Sequence, residues 1–435
     1  MANSTIFCNV PWTNVHIYWD GSFGACCSEK HKPYDDTLRD KYNLSNMTVI
    51  EWYNSKPIKD IRNDISGNKK LSICKQCYYE ESIGYESRRI KENFKSVIFT
   101  KQAFDKSYLQ SPWNDKFERP DQDQSPPIDW HVDLGNECNL SCKMCNPNAS
   151  SQIASKYATW GLKFERRKNW INDDASWDNF LTSIDKSNIN RLHLMGGEPM
   201  LSKRFKQLVD YLIDKNRTNI SISFVTNGTL LDQEFINKLK SFRSCDIEIS
   251  IESIGKNNDY IRQGLDDVTN LVKSNIEKLA AQQTETFKIV LRSVPQLFNV
   301  NNYHEYILWA WKQKLSIQGI PLTKPAYLSI NVLPKSIRKS FISNYEQVRS
   351  TIQQQSGASI STLATGRDIS RLDIQLIAEC NSLIHLLQEE DPVDVEIQRK
   401  ELAHWLIRWD KTFNLNAYDY YPEYADFLRS ISYEV

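Results

Sequence analysis

Apolar and polar positions along the middle of the chain follow a pattern that predicts six successive strand–helix units. Six segments have the length and composition of strands, and amphipathic segments with helical periodicity lie between them. The predicted strands are 129–135, 190–195, 220–226, 246–252, 287–294 and 326–333. The predicted helices include 203–214, 233–242, 268–281 and 303–314. This series indicates parallel strands joined by crossover helices, in either a partial barrel or a doubly wound open sheet.

Two of the strands favour the partial barrel because one of their faces is polar. In the fourth strand, isoleucines alternate with polar residues: Ile247, Ile249 and Ile251 with Glu248, Ser250 and Glu252. Segment 326–333 repeats the alternation. A strand covered on both faces of an open α/β sheet would be apolar throughout, whereas a barrel can enclose polar side chains. An exposed edge strand explains one such segment but not two, so we expect an α/β fold with a partial (β/α)6 barrel.

The remainder of the chain forms segments on either side of a core predicted at 128–340. Residues 1–85 form a loop-rich module with five cysteines, residues 86–127 a helix and a polar linker, and residues 341–435 a helical C-terminal region. Two amphipathic helices are predicted in that last region, 371–389 and 394–413. A chain of 435 residues is long enough for two or three domains.

Composition and charge narrow the possible partners. The chain has 54 basic and 54 acidic residues, so its net charge of zero gives no argument for binding nucleic acid or an acidic membrane. No apolar run is long enough to cross a membrane, and the first residues lack the basic and apolar regions of a signal peptide. We therefore expect a cytoplasmic protein.

The cysteines are spaced for metal binding rather than for disulfide bonds. Eight of the ten precede residue 146, several at spacings of two or three residues. Cys138, Cys142 and Cys145 form a Cys-x3-Cys-x2-Cys run directly after the first predicted strand. Three thiolates can hold three irons of a [4Fe–4S] cube and leave the fourth iron open to a substrate or cofactor. A zinc site completed by a distant fourth residue is the alternative.

Polar residues also follow the next three predicted strands. Gly196, Gly197 and Glu198 follow the second strand, where the glycines allow close backbone approach and the glutamate can accept hydrogen bonds from an ammonium group. The third and fourth strands end in further polar residues, namely Thr226 and Asn227, then Ser250 and Glu252. Ligands bind at the C-terminal ends of parallel barrel strands, so these residues are candidates for a common site.

With these motifs the chain resembles the radical S-adenosylmethionine (SAM) superfamily. The resemblance covers the cysteine run, the Gly-Gly-Glu-Pro turn at 196–199 and the six-unit core. It implies a partial (β/α)6 barrel in which the three cysteines hold a [4Fe–4S] cluster and SAM binds the open iron. One electron then splits SAM into methionine and a 5′-deoxyadenosyl radical, which abstracts a hydrogen from a peptide or small-molecule substrate. An electron donor such as flavodoxin or ferredoxin is implied as a partner.

The resemblance also assigns SAM-binding residues. It implies contacts of the SAM amino group with Gly196, Gly197 and Glu198, and it puts Met144 beside the adenine, where an aromatic or large apolar residue is usual. The residues assigned to the ribose are Ser250 and Glu252, with Thr226 or Asn227 assisting.

An arginine is expected to bind the SAM carboxylate. Arg262 is our candidate because a guanidinium fork suits a carboxylate, and Arg292 is its competitor. A surface or structural salt bridge is the alternative role for either arginine.

The N-terminal cysteines predict a second metal site. Cys8, Cys26, Cys74 and Cys77 can hold either a structural zinc ion or a fully ligated iron–sulfur cluster. This segment resembles the auxiliary-cluster modules called SPASM and twitch domains. The one-cluster twitch form fits because no cysteine lies between residues 77 and 138, and the spacing from Gly21 favours Cys26 over Cys27.

The position and role of this module leave alternatives open. In most relatives the module follows the barrel, whereas here it precedes it. An auxiliary [4Fe–4S] cluster would transfer electrons or complete a net oxidation of the substrate, and zinc remains the alternative at this site. For the whole chain, the alternative is a metal-stabilised binding or scaffold protein that keeps the fold without turnover.

Overall fold

A computed structural model of the chain describes residues 6–26, 36–82, 86–93, 121–165, 167–356 and 370–434. The chain divides into two compact units. The first unit comprises residues 1–137, 163–224 and 237–244. The second unit comprises residues 138–162, 225–236 and 245–435. The predicted domain boundaries stay predictions, and most of the predicted linker, 94–120, lies outside the described residues.

The described residues contain ten strands. In chain order they are β1 Asn14–Ile17, β2 Phe23–Gly24, β3 Asp129–Asp133, β4 Ser141–Cys142, β5 Arg191–Met195, β6 Ser221–Thr226, β7 Ser244–Ser250, β8 Arg262–Gln263, β9 Phe287–Ser293 and β10 Ser316–Gly319. The first five predicted core strands correspond to β3, β5, β6, β7 and β9, and every end agrees with the prediction to within two residues.

The helices of the N-terminal half are mostly short. They span Val10–Thr13, Asp36–Lys41, Val49–Tyr53, Lys56–Ser66, Lys75–Ser82, 88–93, Ser151–Thr159, Asp174–Asp185 and Lys203–Asp214. Short 3-10 helices lie at Ser72–Cys74, Trp170–Asn172 and Pro199–Leu201.

The helices of the C-terminal half include the two longest. They span Gln233–Leu239, Lys256–Ile261, Val268–Ala280, Tyr303–Lys312, Lys335–Ser340, Ile342–Ser356, Arg371–Gln388, Val395–Phe413, Ala417–Tyr420 and Ala425–Ser430. Further 3-10 helices lie at Ala326–Leu328, Ile330–Val332 and Pro422–Tyr424. The predicted helices at 371–389 and 394–413 are confirmed, and none of the described helices has the length and apolar character needed to span a membrane.

In the first unit, β1 adds a parallel strand to the edge of the predicted core. It pairs with β3, which pairs in turn with β5, and β5 pairs with β6, all in parallel; the short β2 is antiparallel to β1. β1 lies in the segment predicted as a separate N-terminal module. The pairing of residues 14–17 with 129–132 joins that module to the core sheet instead.

One face of this sheet is apolar and the other carries a row of polar side chains. Trp130 on β3 is fully buried on the apolar face. His16, His131, His193 and Ser223 lie in register on β1, β3, β5 and β6, and we call them the histidine row. His193 Nδ1 lies 2.8 Å from Ser223 Oγ. This alternation supports the polar interior predicted for the core.

In the second unit, β7, β9 and β10 form a parallel set, and the prediction for the sixth strand was wrong. That strand is Ser316–Gly319, whereas 326–333 contains two 3-10 helices. Within that segment the backbone N–H groups of Leu328 and Val332 donate to carbonyls three residues earlier, so they are not available for a sheet. Its apolar alternation arises because Leu328, Ile330 and Val332 are all buried.

A second small sheet of this unit joins the cysteine loop to β8. β4 and β8 are antiparallel, and their register sets Cys142 opposite Arg262 and Ser141 opposite Gln263. Two residues per strand are too short to give a sequence signal. This pairing nevertheless positions the second cysteine of the run.

Candidate functional site

The three core cysteines lie in a loop between β3 and the helix Ser151–Thr159. Ser150 caps that helix by accepting a hydrogen bond from the backbone N–H of Ile153, and its hydroxyl donates to the Leu140 carbonyl at 3.2 Å. The backbone N–H of Cys138 donates to Ser151 Oγ at 3.1 Å. The start of the helix therefore fixes the loop.

Cys138, Cys142 and Cys145 are close enough for their charges to interact. Burial raises the pKa of Cys142 to about 12, with Cys138 adding to the increase and Arg262 opposing it. Burial also raises the pKa of Cys145, and the other two cysteines add to this. Among the described residues, no group of three or more His, Cys, Asp or Glu side chains is arranged to coordinate a metal ion. The loop fits an iron–sulfur cluster by its donor type, because iron would hold these thiols as thiolates.

Arg262 lies against the cysteine loop, as the candidate for the SAM carboxylate requires. Its Nη1 is 3.7 Å from Cys142 Sγ, and its Nε and Nη2 are 3.2 and 2.5 Å from Glu252 Oε1. Glu252 is fully buried, and its Oε2 accepts a hydrogen bond at 2.7 Å from the backbone N–H of Val294. Both oxygens of Glu252 therefore have partners within the protein, and its assignment to the ribose stays a prediction.

The competing arginine is engaged elsewhere. Arg292 Nη1 lies 3.1 Å from Glu248 Oε2 and 3.0 Å from Gln318 Oε1, across β7, β9 and β10. Ser250, at the end of β7, is in register with Arg292 and is partly exposed. Of the two candidate arginines, the structure therefore brings Arg262 to Cys142.

The turn after β6 holds the cysteine loop through side-chain amides. Asn227 Nδ2 donates to Asn139 Oδ1 at 2.7 Å, and Asn139 Nδ2 donates to Thr229 Oγ1 at 2.9 Å. Thr226 Oγ1 accepts a hydrogen bond from the backbone N–H of Gly228 at 3.1 Å, within the same turn. Asn139 is a residue that sequence analysis missed. The contacts of Thr226 and Asn227 shape this turn, and their assignment to SAM stays a prediction, as does that of the partly exposed Met144.

In the first unit, the Gly-Gly-Glu turn packs against the backbone that leads into the cysteine run. A Cβ on Gly196, which has φ +131°, would lie 2.5 Å from the Gly135 carbonyl oxygen, and one on Gly197 would lie 2.1 Å from that of Glu137. The backbone N–H of Glu198 donates to the Glu137 carbonyl at 2.7 Å. Glycine is thus required at both positions for a backbone–backbone contact.

The carboxylate of that turn has a local partner. Glu198 Oε1 accepts a hydrogen bond from the backbone N–H of Met200 at 3.0 Å, and the residue is buried. This contact caps the short helix Pro199–Leu201. The predicted contacts of Gly196, Gly197 and Glu198 with SAM stay predictions.

Three of the four N-terminal candidate ligands are electrostatically coupled. Burial raises the pKa of Cys8 to about 12, and Cys74 and Cys77 add to the increase. Cys8 and Cys77 are buried, whereas Cys74 and Cys26 are partly exposed. Cys27, the alternative to Cys26, lies outside the described residues.

The segment 86–93 holds the loop around Cys8. Asn93 Nδ2 donates to the Phe7 carbonyl at 2.9 Å, and the backbone N–H of Asn9 donates to Asn93 Oδ1 at 2.9 Å. Arg89 Nη1 also donates to the Phe7 carbonyl, at 3.3 Å. The predicted helix after the cysteine module therefore fixes the first candidate ligand.

Lys143 and Asp410 form a buried ion pair that sequence analysis missed. Lys143 Nζ lies 3.3 Å from Asp410 Oδ1, and their side chains are 1% and 0% exposed. Burial lowers the pKa of Lys143 to about 8, while Asp410 opposes that shift. A signal was present, because Asp410 follows the buried Leu402 and Leu406 at helical spacing, where an apolar residue is expected.

Comparison with known proteins agrees with this geometry. Residues 132–291 match the model of the radical SAM superfamily, and residues 8–78 match that of an iron–sulfur cluster-binding domain, SPASM. The second match begins at Cys8 and ends one residue after Cys77. The middle of the chain is therefore similar to the radical SAM superfamily, and the segment before it is similar to a SPASM domain. The predicted fold class is confirmed.

Three curated relatives are similar to part of this chain. The radical SAM cyclopropyl synthase TigE of Paramaledivibacter caminithermalis is 27% identical over 32% of this chain and 30% of its own length. A GTP 3′,8-cyclase of Nautilia profundicola is 29% identical over 32% and 38%. The PqqA peptide cyclase of Gluconobacter oxydans is 27% identical over 36% and 37%. The chain thus matches about a third of the length of these relatives.

Two solved structures are similar at low sequence identity. One is anSMEcpe with bound AdoMet and the Cp18Cys peptide, with a TM-score of 0.36, 16% identity, and coverage of 55% of this chain and 62% of that one. The other is Streptococcus suis SuiB bound to S-adenosylmethionine, with a TM-score of 0.37, 15% identity, and coverage of 60% and 58%.

Proposed function

We propose that this protein is a radical SAM enzyme that modifies a peptide or small molecule by hydrogen abstraction. The observation that carries the proposal is the pairing of β4 with β8, which sets Arg262 beside Cys142 in the loop that also contains Cys138 and Cys145. A cation next to an open cluster position suits the carboxylate of an amino acid ligand. The family matches support the same class of chemistry.

In this proposal, Cys138, Cys142 and Cys145 hold the [4Fe–4S] cluster. When bound, the cluster would supply one electron for the reductive cleavage of SAM to methionine and a 5′-deoxyadenosyl radical, which would take a hydrogen from the substrate. Arg262 orients the SAM carboxylate, and Glu252 fixes the guanidinium from its other side. The proposal keeps the remaining assignments to SAM, which are those of Gly196, Gly197, Glu198, Met144, Ser250, Glu252, Thr226 and Asn227.

We also propose one auxiliary [4Fe–4S] cluster held by Cys8, Cys26, Cys74 and Cys77. The electrostatic coupling of Cys8 with Cys74 and Cys77 supports a shared site. Such a cluster would transfer electrons or complete a net oxidation, while four protein ligands would leave no open iron for the substrate. Zinc is the alternative occupant.

For the substrate we propose only a chemical class, and for the electron donor only a class of protein. Relatives are named for GTP and for the peptide PqqA, so a peptide and a small molecule are both retained. A flavodoxin or ferredoxin is the proposed source of the electron. A metal-stabilised scaffold without turnover is the competing function.

Anaerobic reconstitution with dithionite and SAM tests the proposal. We expect about eight irons per chain, two cubes' worth, and release of 5′-deoxyadenosine. Cys142→Ala should abolish that release, whereas Cys380→Ala should retain it, because Cys380 is a buried thiol in the helix Arg371–Gln388. A fully loaded protein that releases no 5′-deoxyadenosine, with or without candidate substrates, would support the scaffold instead.

A further inference from the structure

We propose that Asp410 is a positioning residue for the SAM site, acting through Tyr260 on Arg262 and through Lys143 on the cysteine loop. The inference rests on the proposed function and deepens it. It makes the C-terminal helix Val395–Phe413 part of the cofactor site.

Asp410 is the centre of a buried polar cluster. Its carboxylate receives Lys143 Nζ at 3.3 Å, the Tyr260 hydroxyl at 3.0 Å from both oxygens, and the Tyr433 hydroxyl at 2.5 Å. The backbone N–H of Ala417 donates to Oδ2 at 3.0 Å. Four partners from separate stretches of chain converge on one carboxylate that is 0% exposed.

Two of those partners belong to the segments that meet at Cys142. Lys143 follows Cys142 directly, and its backbone N–H donates to the Ile261 carbonyl at 2.9 Å. Tyr260 precedes Arg262 by two residues and lies at the end of the helix Lys256–Ile261, which leads into β8. Lys143 Nζ also lies 3.9 Å from the centre of the Tyr260 ring. Asp410 therefore holds both sides of the contact between Arg262 and Cys142.

A shift of either segment would move the Arg262 guanidinium relative to Cys142 Sγ, which are 3.7 Å apart. Glu252 also holds the Arg262 guanidinium, so after a change at Tyr260 this contact alone would oppose a movement of the guanidinium. Misplacement of a group that orients a ligand weakens binding even when the fold is intact. Weaker SAM binding is thus the expected signature of losing this contact.

Two phenol variants separate positioning from stability. Tyr260→Phe and Tyr433→Phe each remove one hydroxyl from the same carboxylate, but only Tyr260 is adjacent to the Arg262 segment. We expect Tyr260→Phe to raise the Kd for SAM by about tenfold, a change that corresponds to the free energy of one hydrogen bond to a charged group. Tyr433→Phe should raise this Kd by less than about twofold. Both should bind the same amount of iron and show similar shifts in the unfolding midpoint.

The readouts are SAM titration of the reduced cluster by electron paramagnetic resonance, iron content and thermal unfolding. Equal SAM affinity in both variants and the unaltered protein, with equal loss of stability, would overturn the inference and leave the Asp410 cluster as packing. A wild-type cluster whose spectrum does not respond to SAM would instead contradict the proposed function, so the two failures are distinguishable.

Variants of the Lys143–Asp410 ion pair provide a second test of this inference, with cluster loading as the measurement. Asp410→Asn should lower cluster loading more than Lys143→Met, because it leaves an unpaired ammonium buried, whereas Asp410 keeps three other donors when Lys143 is lost. Adding Lys143→Met to Asp410→Asn should restore part of that loading. Additive losses in the double variant would show that the two residues act independently and would contradict this coupling.

Discussion

At the scale of single residues, the contacts of Glu252 determine which polar groups near Cys142 remain available to bind a ligand. Its carboxylate binds Arg262 through one oxygen and the Val294 N–H through the other. A buried ion pair of this kind adds little net stability, but removing one partner leaves a charge without compensation. Glu252 is therefore best understood as the residue that holds Arg262 in place.

Glu252→Gln should destabilise the protein by about 3 kcal/mol, because the Arg262 charge would lose its buried carboxylate. Urea unfolding under anaerobic conditions measures this change. Glu248→Gln is the matched control, since Arg292 is 24% exposed and water can compensate its charge, so about 1 kcal/mol is expected there. Equal losses in the two variants would show that the Glu252 pair is no more critical than a partly solvated one.

At this scale, the sequence indicates functional residues only where their side-chain type or their neighbours along the chain point to them. Arg262 was identifiable because its guanidinium suits a carboxylate ligand. A structural salt bridge was the alternative role for this arginine, and the structure contains such a salt bridge, with Glu252. Asp410 lies 267 residues from Lys143, so only tertiary packing brings the two together. The contacts of Asn139 with the turn after β6 were hidden for the same reason.

At the scale of elements, the histidine row depends on a strand that sequence analysis assigned to another module. β1 contributes His16, which lies in register with His131 on β3. Strand existence was predictable for β3, β5, β6, β7 and β9, where apolar residues recur. β10 was missed because its four residues include a single buried apolar side chain, Ile317, whereas 326–333 imitated a strand through two 3-10 helices.

The histidine row predicts a stability that depends on pH. Burial lowers the pKa of His131 well below 6.5, and the positive charges of Arg88 and Arg191 and the neighbouring His193 and His16 lower it further. A depressed pKa in the folded state means that His131 takes up its proton mainly when the chain unfolds. Its contribution to stability is therefore complete above about pH 6.5 and declines as pH falls below that value.

We expect the unfolding free energy to fall by up to about 1.4 kcal/mol per pH unit below pH 6.5 from this group. His131→Gln should reduce that slope, even though the variant loses stability at pH 7.5. His404→Gln is the control, because His404 is exposed on the helix Val395–Phe413. Urea unfolding at pH 7.5, 6.5 and 5.5 gives the slopes, and an unchanged slope in His131→Gln would contradict the assignment.

At the scale of the whole molecule, the candidate ligands divide between the two compact units. Cys8, Cys26, Cys74 and Cys77 belong to the first unit and the core triplet to the second. The sequence order of the two modules was predictable from cysteine spacing alone. The division of the core strands between two compact units was not, because it depends on contacts distant in sequence.

This division predicts that the two metal sites load independently. A variant with Ala at positions 138, 142 and 145 should keep about four irons per chain, and one with Ala at positions 8, 74 and 77 should also keep about four. The reason is that each set of thiols lies within a unit that has its own buried core. Iron and zinc analysis with Mössbauer spectroscopy measures both sites.

Zinc in place of iron in the first variant would remove the auxiliary cluster from the proposal. Loss of all iron in the N-terminal variant would show instead that the core site requires the SPASM domain, and independent loading would then be wrong.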